Sequence, residues 1–332
     1  MTMTTVAHTR GRAVVVGVDG SASAQGALAW AAMTASARRC PLRIIHTFTV
    51  PTFTVPLLSS APDMIPIRDL TVDLRSVADW VLAESESSAR YLAPDIKITR
   101  ELFVAGAAPT LLSQAHDAEL LVLGSRGIGG FRGLLVGSVS TAVAAHARCP
   151  VVVVRPHRDG TAFPAFRTAR IVVGVDGSDV SAAAIRFAYH EAVRRRVGLL
   201  TVHAVPPTRQ QSSLRVPPHV VEQVEEQLFA AAMESKRVLD PRVDLEMKVV
   251  HGHPAQALID ASDAAGLVVV GSRGHGGFAG MLLGSVSQAV LQHAACPVAV
   301  VHPDRARSAL PRSRPGRRIA ARNRLPELKE LP

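Results

Sequence analysis

Short unbroken apolar runs alternate along this chain with longer stretches whose apolar residues recur at helical spacing. The run "AVVVGV" (13–18) is continuously apolar and β-branched and stops at "DGS", the pattern of a strand covered on both faces and closed by a turn. The Ala-rich stretch that follows, "ASAQGALAWAAMTASARR", is helix-prone, with Ser21 or Ser23 placed to cap it. A second strand "LRIIHTF" comes next, then a Pro-broken stretch (51–68) and a segment from Asp69 with helical spacing of its apolar residues. Strand "KITRELFV", helix "PTLLSQAHD", strand "ELLVLG", helix "SVSTAVAAHA" and strand "CPVVVV" complete the series. Buried strands alternating with helices predict an α/β fold, a parallel sheet with helices on both faces.

The series then occurs again. Residues 12–31 match 170–189, His46 in "LRIIHTF" aligns with His203 in "LLTVHAV", and 124–154 match 271–301 at 22 of 31 positions without a gap. A repeat of this length is a whole domain, so two tandem doubly wound domains are predicted at 10–156 and 168–303. Residues 157–167, "HRDGTAFPAFR", read as a linker.

Composition narrows the setting. No apolar run approaches the roughly eighteen residues of a membrane helix, and "MTMTTVAHTRGR" lacks the apolar core of a signal peptide. A cytoplasmic protein without membrane contact is expected. Three separated cysteines (Cys40, Cys149, Cys296) form no CxxC or Cys/His cluster, so neither a disulfide framework nor a zinc site is indicated. Cys149 and Cys296, each before a Pro at the start of a last strand, read as small buried hydrophobes. The net charge of +10 is concentrated in residues 304–332, where nine Lys/Arg face three acids, leaving +4 for the rest. That Pro/Arg-rich tail reads as disordered. It offers an electrostatic hold on nucleic acid, the weaker reading beside a solvated extension.

In an open doubly wound sheet a ligand sits beyond the carboxyl ends of the strands, where strand order reverses. Two loops in each copy have unusual composition at such ends. One is "GVDGS", carrying Asp19 or Asp176. The other is "GSRGIGGFRGLLVGS" (124–138), repeated as "GSRGHGGFAGMLLGS" (271–285). Its glycines let backbone N–H groups approach an anion, and the following helix begins at Ser138 or Ser285 with its positive end toward the loop. Ser125, Arg126 and their partners Ser272 and Arg273 stand in the same loops. Asp19 and Asp176 suit ribose hydroxyls, an adenine amino group or a metal ion. Phosphate on one side and carboxylate on the other point to a nucleotide. The plainer alternatives are a ligand-free glycine turn and a simple serine cap. His46 and His203, inside apolar strands, read as satisfied core histidines.

The spacings Gly124-x2-Gly127-x9-Gly137-Ser138 and Gly271-x2-Gly274-x9-Gly284-Ser285 now become specific. With "VGVDGS", the strand-two histidine and "CPVVVV", they resemble the ATP-binding universal stress proteins, in the tandem-domain form found in actinobacteria. That resemblance implies a five-stranded sheet of order 3-2-1-4-5 in each domain. It places ATP, with Mg or Mn as a possible companion ion, across the strand ends. It implies contacts from Gly17, Asp19 and the 124–138 glycines, with Val139 offering a backbone N–H, and from Gly174, Asp176 and Val286 in the second copy. The family position after the strand-two histidine, often Val against adenine, is Thr47 or Ala204 here. Pairing through the last strand is also implied, as a homodimer or as a pseudo-dimer within one chain.

Neither loop carries the G-x4-G-K-[ST] lysine of P-loop enzymes, and no Glu or His lies in the first loop to orient water. The expected function is a non-catalytic or very slowly hydrolysing ATP-binding regulator of stress or growth arrest, with an unidentified regulatory protein partner. The alternative is an adenylyl-transferring or ATP-hydrolysing enzyme on the same fold.

Overall fold

The computed structural model describes residues 13–49, 67–129, 135–155, 168–205, 243–274 and 283–303, with the α2 side chains from residue 73. The linker, the basic tail, most of the Pro-broken stretch and the segment after the second domain's second strand lie outside the described residues.

Within the first domain the elements run β1 (Ala13–Val18), α1 (Ala22–Arg38), β2 (Leu42–Phe48), α2 (Ile67–Leu92), β3 (Ile98–Val104), α3 (Ala107–Gln114), β4 (Ala118–Gly124), α4 (Ser138–His146) and β5 (Val151–Val154). The second contributes β6 (Ile171–Val175), α5 (Asp179–Arg195), β7 (Leu199–Val205), β8 (Leu245–His251), α6 (Pro254–Ala261), β9 (Leu267–Gly271), α7 (Ser285–His293) and β10 (Val298–Val301).

Each domain has strand order 3-2-1-4-5, all parallel, so β1 and β4 are neighbours, as are β6 and β9. The two sheets are one. Val151, Val152 and Val153 of β5 pair antiparallel with Val300, Ala299 and Val298 of β10, giving a continuous ten-stranded sheet. The last strands therefore join the copies within the chain, and both are fully buried because neither is an edge.

Alternation along each strand sorts the core into two layers. Val14, Val16 and Val18 pack under α1 and α2, in a layer that continues to α5. Val15 faces the other way, toward Leu111 of α3, Val143 of α4 and the layer holding Leu258 of α6 and Val290 of α7. The apolar, β-branched strand sequences thus follow from burial on both faces.

Helix α1 is capped by Ser21, whose Oγ accepts from the Ala24 N–H at 3.1 Å, and Ser178 caps α5 in the same way through Ser181. Of the two serines the sequence offered, Ser21 is the cap; Ser23 has another task, described below. Both cysteines before proline are buried, Cys149 at 5% and Cys296 at 1% exposure, and burial pushes each thiol up to about 12. Alkylation of the native protein near pH 8 is expected to spare both, because the thiolate is the nucleophile. Mass spectrometry should find them modified only after unfolding, and rapid native labelling of either would contradict this packing.

Helices α1 and α5 meet across the domain boundary, and their contact is charged. The Arg38 Nη1 donates to Glu119 and its Nη2 to Glu191, both at 2.6 Å, while the Arg195 Nη2 donates to the other Glu191 oxygen at 2.7 Å. The Arg195 guanidinium lies 4.9 Å from the Trp30 ring centre and that of Arg38 lies 5.7 Å from Phe187. In the repeat alignment Arg38 corresponds to Arg195 and Trp30 to Phe187, so each domain stacks its arginine on the other's aromatic ring. Glu191, 1% exposed, serves both arginines; its counterpart Thr34 carries no charge.

Candidate functional site

The site in the first domain grows from the carboxyl ends of neighbouring strands. The β1 strand ends in a tight turn that requires Gly20 at φ 86°, and the second copy repeats it with Gly177 at φ 82°. This turn aims Asp19 at the glycine loop beyond β4. Asp19 Oδ1 accepts from the Ser21 N–H at 3.0 Å and Oδ2 accepts from the Ile128 N–H at 2.9 Å. The carboxylate therefore clasps the two loops together. Sequence reasoning reserved it for a ligand, and it acts first as a tether within the protein.

The serines of α1 add to this clasp. Ser21 Oγ donates to the Arg126 carbonyl at 3.4 Å, and the Arg126 N–H donates to Ser23 Oγ at 3.3 Å. Ser23 Oγ also lies 3.4 Å from Ser125 Oγ. Ser125 is buried beneath the loop, 3% exposed, and does not line the cleft.

Between these loops opens a cleft of about 260 Å³. Its lining brings together the other nine first-domain residues singled out from the sequence. Gly17 and Asp19 come from the β1 end, Thr47 from β2, and Gly124, Arg126 and Gly127 from the loop after β4. Gly137, Ser138 and Val139 come from the start of α4. Ile45, Ala107 and Leu111 make one wall apolar, and sequence reasoning missed them because they come from β2 and α3 and carry no motif.

Gly137 is the N-cap of α4 and supplies no side-chain cap, so the first-turn N–H groups of this helix face the cleft without a hydroxyl across them. The Ser140 Oγ is committed to the Gly124 carbonyl, to which it donates at 2.7 Å, locking the helix start to the strand end. Such a helix start favours an anion, through both its N–H groups and its dipole.

The glycines divide by what crowds them. A Cβ on Gly124 would lie 2.7 Å from the backbone of Ser23, and one on Gly127 would overlap the Asp19 carboxylate. On Gly17 it would lie 2.7 Å from Leu123. Gly124 is demanded by backbone and Gly127 by the hydrogen-bonded Asp19 carboxylate, while at Gly17 the end of the Leu123 side chain would have to shift. Gly137 differs, since the nearest atoms to its Cβ position are 3.6 Å and 3.7 Å away. The sequence reading treated Gly124, Gly127 and Gly137 alike, as bare backbone for a phosphate chain; only Gly137 is left without an internal reason to be glycine. Gly129 has open space around it. Gly130 and Gly133 lie outside the described residues.

One cation escaped the sequence reading. Arg155, directly after β5, donates through Nη2 to the Leu135 carbonyl of the loop at 3.3 Å and to the Leu291 carbonyl of α7 at 2.6 Å. Burial, with Arg126 nearby, brings its guanidinium down to about 10. It places a second positive group behind the loop, bound to the other domain. No local motif marks it, although its position one residue past the last strand could have.

The second domain repeats the frame. Asp176 Oδ1 accepts from the N–H and the hydroxyl of Ser178 at 3.0 and 2.7 Å, and a Cβ on Gly274 would overlap the Asp176 carboxylate. Gly284 caps α7 without a side chain and donates its N–H to the Ser272 carbonyl at 2.8 Å; Ser285 and Val286 open the helix. Gly174 packs against Leu258 and Gly271 against Val180, while Ala204 stands near the end of β7. Arg273 lies between Ser272 and Gly274 on this loop.

His46 and His203 prove to be structural. Their Nδ1 atoms lie 2.7 and 2.8 Å from the carbonyls of Val18 and Val175, so each ring donates to the end of the neighbouring strand. Among the described residues no group of three or more His, Cys, Asp or Glu could hold a metal ion. None of the described helices is long and apolar enough to cross a membrane.

The profile of the universal stress protein family matches residues 11–155 and again 168–302. The chain belongs to this family. A universal stress protein of Mycobacterium tuberculosis is 36% identical over 287 residues, covering 86% of this chain and 95% of the relative. One of Mycobacterium bovis is 37% identical over 287 residues, covering 86% and 96%. The crystal structure of a universal stress protein from Archaeoglobus fulgidus covers 88% of this chain and 98% of its own, with a TM-score of 0.61 at 20% identity. At that identity the likeness concerns the fold. Tandem universal stress protein domains and the doubly wound architecture are thus established together.

Proposed function

We propose that this universal stress protein binds ATP at the strand ends of each domain and acts as a non-catalytic regulator in stress or growth arrest. The observation that carries this reading is the convergence of an unblocked helix start, at Gly137, Ser138 and Val139, with an apolar wall at Ile45 and Leu111 across one cleft. A phosphate chain suits the helix start and Arg126. The apolar wall with Thr47 suits a base, and the Asp19 edge suits a ribose. In the second copy Gly284, Ser285 and Val286 take the phosphate role, with Asp176 and Ala204 at the opposite side. A divalent ion accompanying ATP would be carried by the phosphates and water, since the described residues offer no oxygen cage for it.

Catalysis has little to work with. No lysine stands in either loop, and His46 and His203 are committed to carbonyls. Hydrolysis, where present, is slow. A cytoplasmic location and partners beyond ATP belong to the same proposal.

Equilibrium binding of labelled ATP tests it. Two ATP per chain are expected for the natural sequence. The double variant Asp19→Ala, Asp176→Ala should bind about a hundredfold more weakly, because each carboxylate accepts charge-assisted hydrogen bonds that position its loop. An unchanged affinity in the double variant would sink the site assignment.

A further inference from the structure

The two domains share their frame but differ at one position beneath the glycine loop. Ser23 in α1 aligns with Val180 in α5. Each packs on the glycine that ends the fourth strand of its domain, Gly124 or Gly271. In the first domain the Ser23 hydroxyl meets both Ser125 Oγ and the Arg126 N–H. Valine can do neither. Ser272, the counterpart of Ser125, is 1% exposed and its Oγ has no hydrogen-bond partner. A buried hydroxyl without a partner is destabilising, because it has given up its bonds to water and gained none in return.

Resting on the nucleotide reading above, we propose that the two seats are not equivalent: the first loop is held before the nucleotide arrives, whereas the second is completed by the nucleotide's phosphate oxygens, with Ser23 against Val180 deciding the difference. In the first seat Ser125 Oγ and the Arg126 N–H are satisfied by Ser23 of α1, so the ligand meets a preformed cradle. In the second, Ser272 Oγ has an unused donor and acceptor under the loop. A small shift that turns this hydroxyl toward a phosphate oxygen removes the penalty of its burial. The second loop therefore gains more order from ATP than the first, and the two domains report nucleotide differently despite 22 identities in 31 positions across their loops, helices and last strands.

Hydrogen exchange on the full chain, with and without ATP, tests this. Without ATP, amides of residues 124–127 should exchange about tenfold more slowly than those of 271–274, the factor expected from roughly 1.4 kcal/mol of lost hydrogen bonding. Saturating ATP should slow the second loop by the larger factor. Val180→Ser should bring the second loop to the rate of the first, and Ser23→Val should accelerate the first by about tenfold. Equal rates in the natural sequence without ATP overturn the proposal, as does a V180S chain that melts normally yet leaves 271–274 unchanged. ATP protecting neither loop removes the nucleotide reading itself, whereas ATP protecting both loops equally overturns this inference alone.

Discussion

Replacing Glu191 by alanine is expected to lower folding stability by about 3–5 kcal/mol, the cost of removing one partner from a buried charge cluster. Arg38 and Arg195 would each lose a carboxylate oxygen at 2.6–2.7 Å inside a contact that water does not reach. Denaturant unfolding checks it through the transition midpoint. A loss below about 1 kcal/mol, the range of exposed ion pairs, would show that the contact between α1 and α5 is not formed in solution.

The same residue sets an acid limb. Burial alone pushes the Glu191 carboxyl up, but Arg195, Arg38 and Arg194 outweigh it and bring it down to about 2. A carboxyl titrating below its ordinary value of 4.5 contributes stability that is fully present above that value and is lost as pH falls toward about 2. Stability measured between about pH 5 and pH 2 should fall less steeply in Glu191→Ala than in the natural sequence.

The second large effect concerns nucleotide binding. Gly127→Ala places a methyl group on the Asp19 carboxylate, which must move and release the Ile128 N–H. ATP affinity at the first site should fall about a hundredfold, near 2.7 kcal/mol, and Gly274→Ala should do the same at the second. Gly137→Ala supplies the contrast. The protein itself leaves room for that methyl, so its melting temperature should fall only slightly, by the poorer N-cap that alanine makes, while ATP affinity falls about tenfold. Isothermal titration beside thermal melting separates the cases. Full ATP affinity in Gly137→Ala would show that phosphate does not approach the α4 start.

Much of the fold was legible in advance because its signals are local or repeated. The run "AVVVGV" reads as a buried strand because burial on both faces demands continuous apolar residues. Of the ten site residues named in the first domain, nine share one cleft, since motif spacing reflects loop geometry that adjacent residues largely determine. Ser125 fell out because its side chain turns inward, which no spacing reveals. The meaning of the glycines also stayed hidden. A motif shows that Gly127 is glycine, but only the crossing of Asp19 from a loop more than a hundred residues earlier shows why.

Glu191 marks the limit of such reading. Within "FAYHEAVRRR" it resembles a solvated helix charge, the ordinary place for glutamate. It is buried because β5 and β10 join two sheets into one, bringing α1 of one domain against α5 of the other. The sequence by itself determined the tandem repeat, the alternation of strands and helices, and the two unusual loops at the strand ends, all of which rest on contacts near in sequence or on self-similarity. Only the tertiary structure decided that one carboxylate serves two pseudo-symmetric arginines and that a serine beneath one loop has no partner beneath the other. Those outcomes depend on groups brought together from distant positions, where burial rather than residue type sets what a charge or a hydroxyl must do.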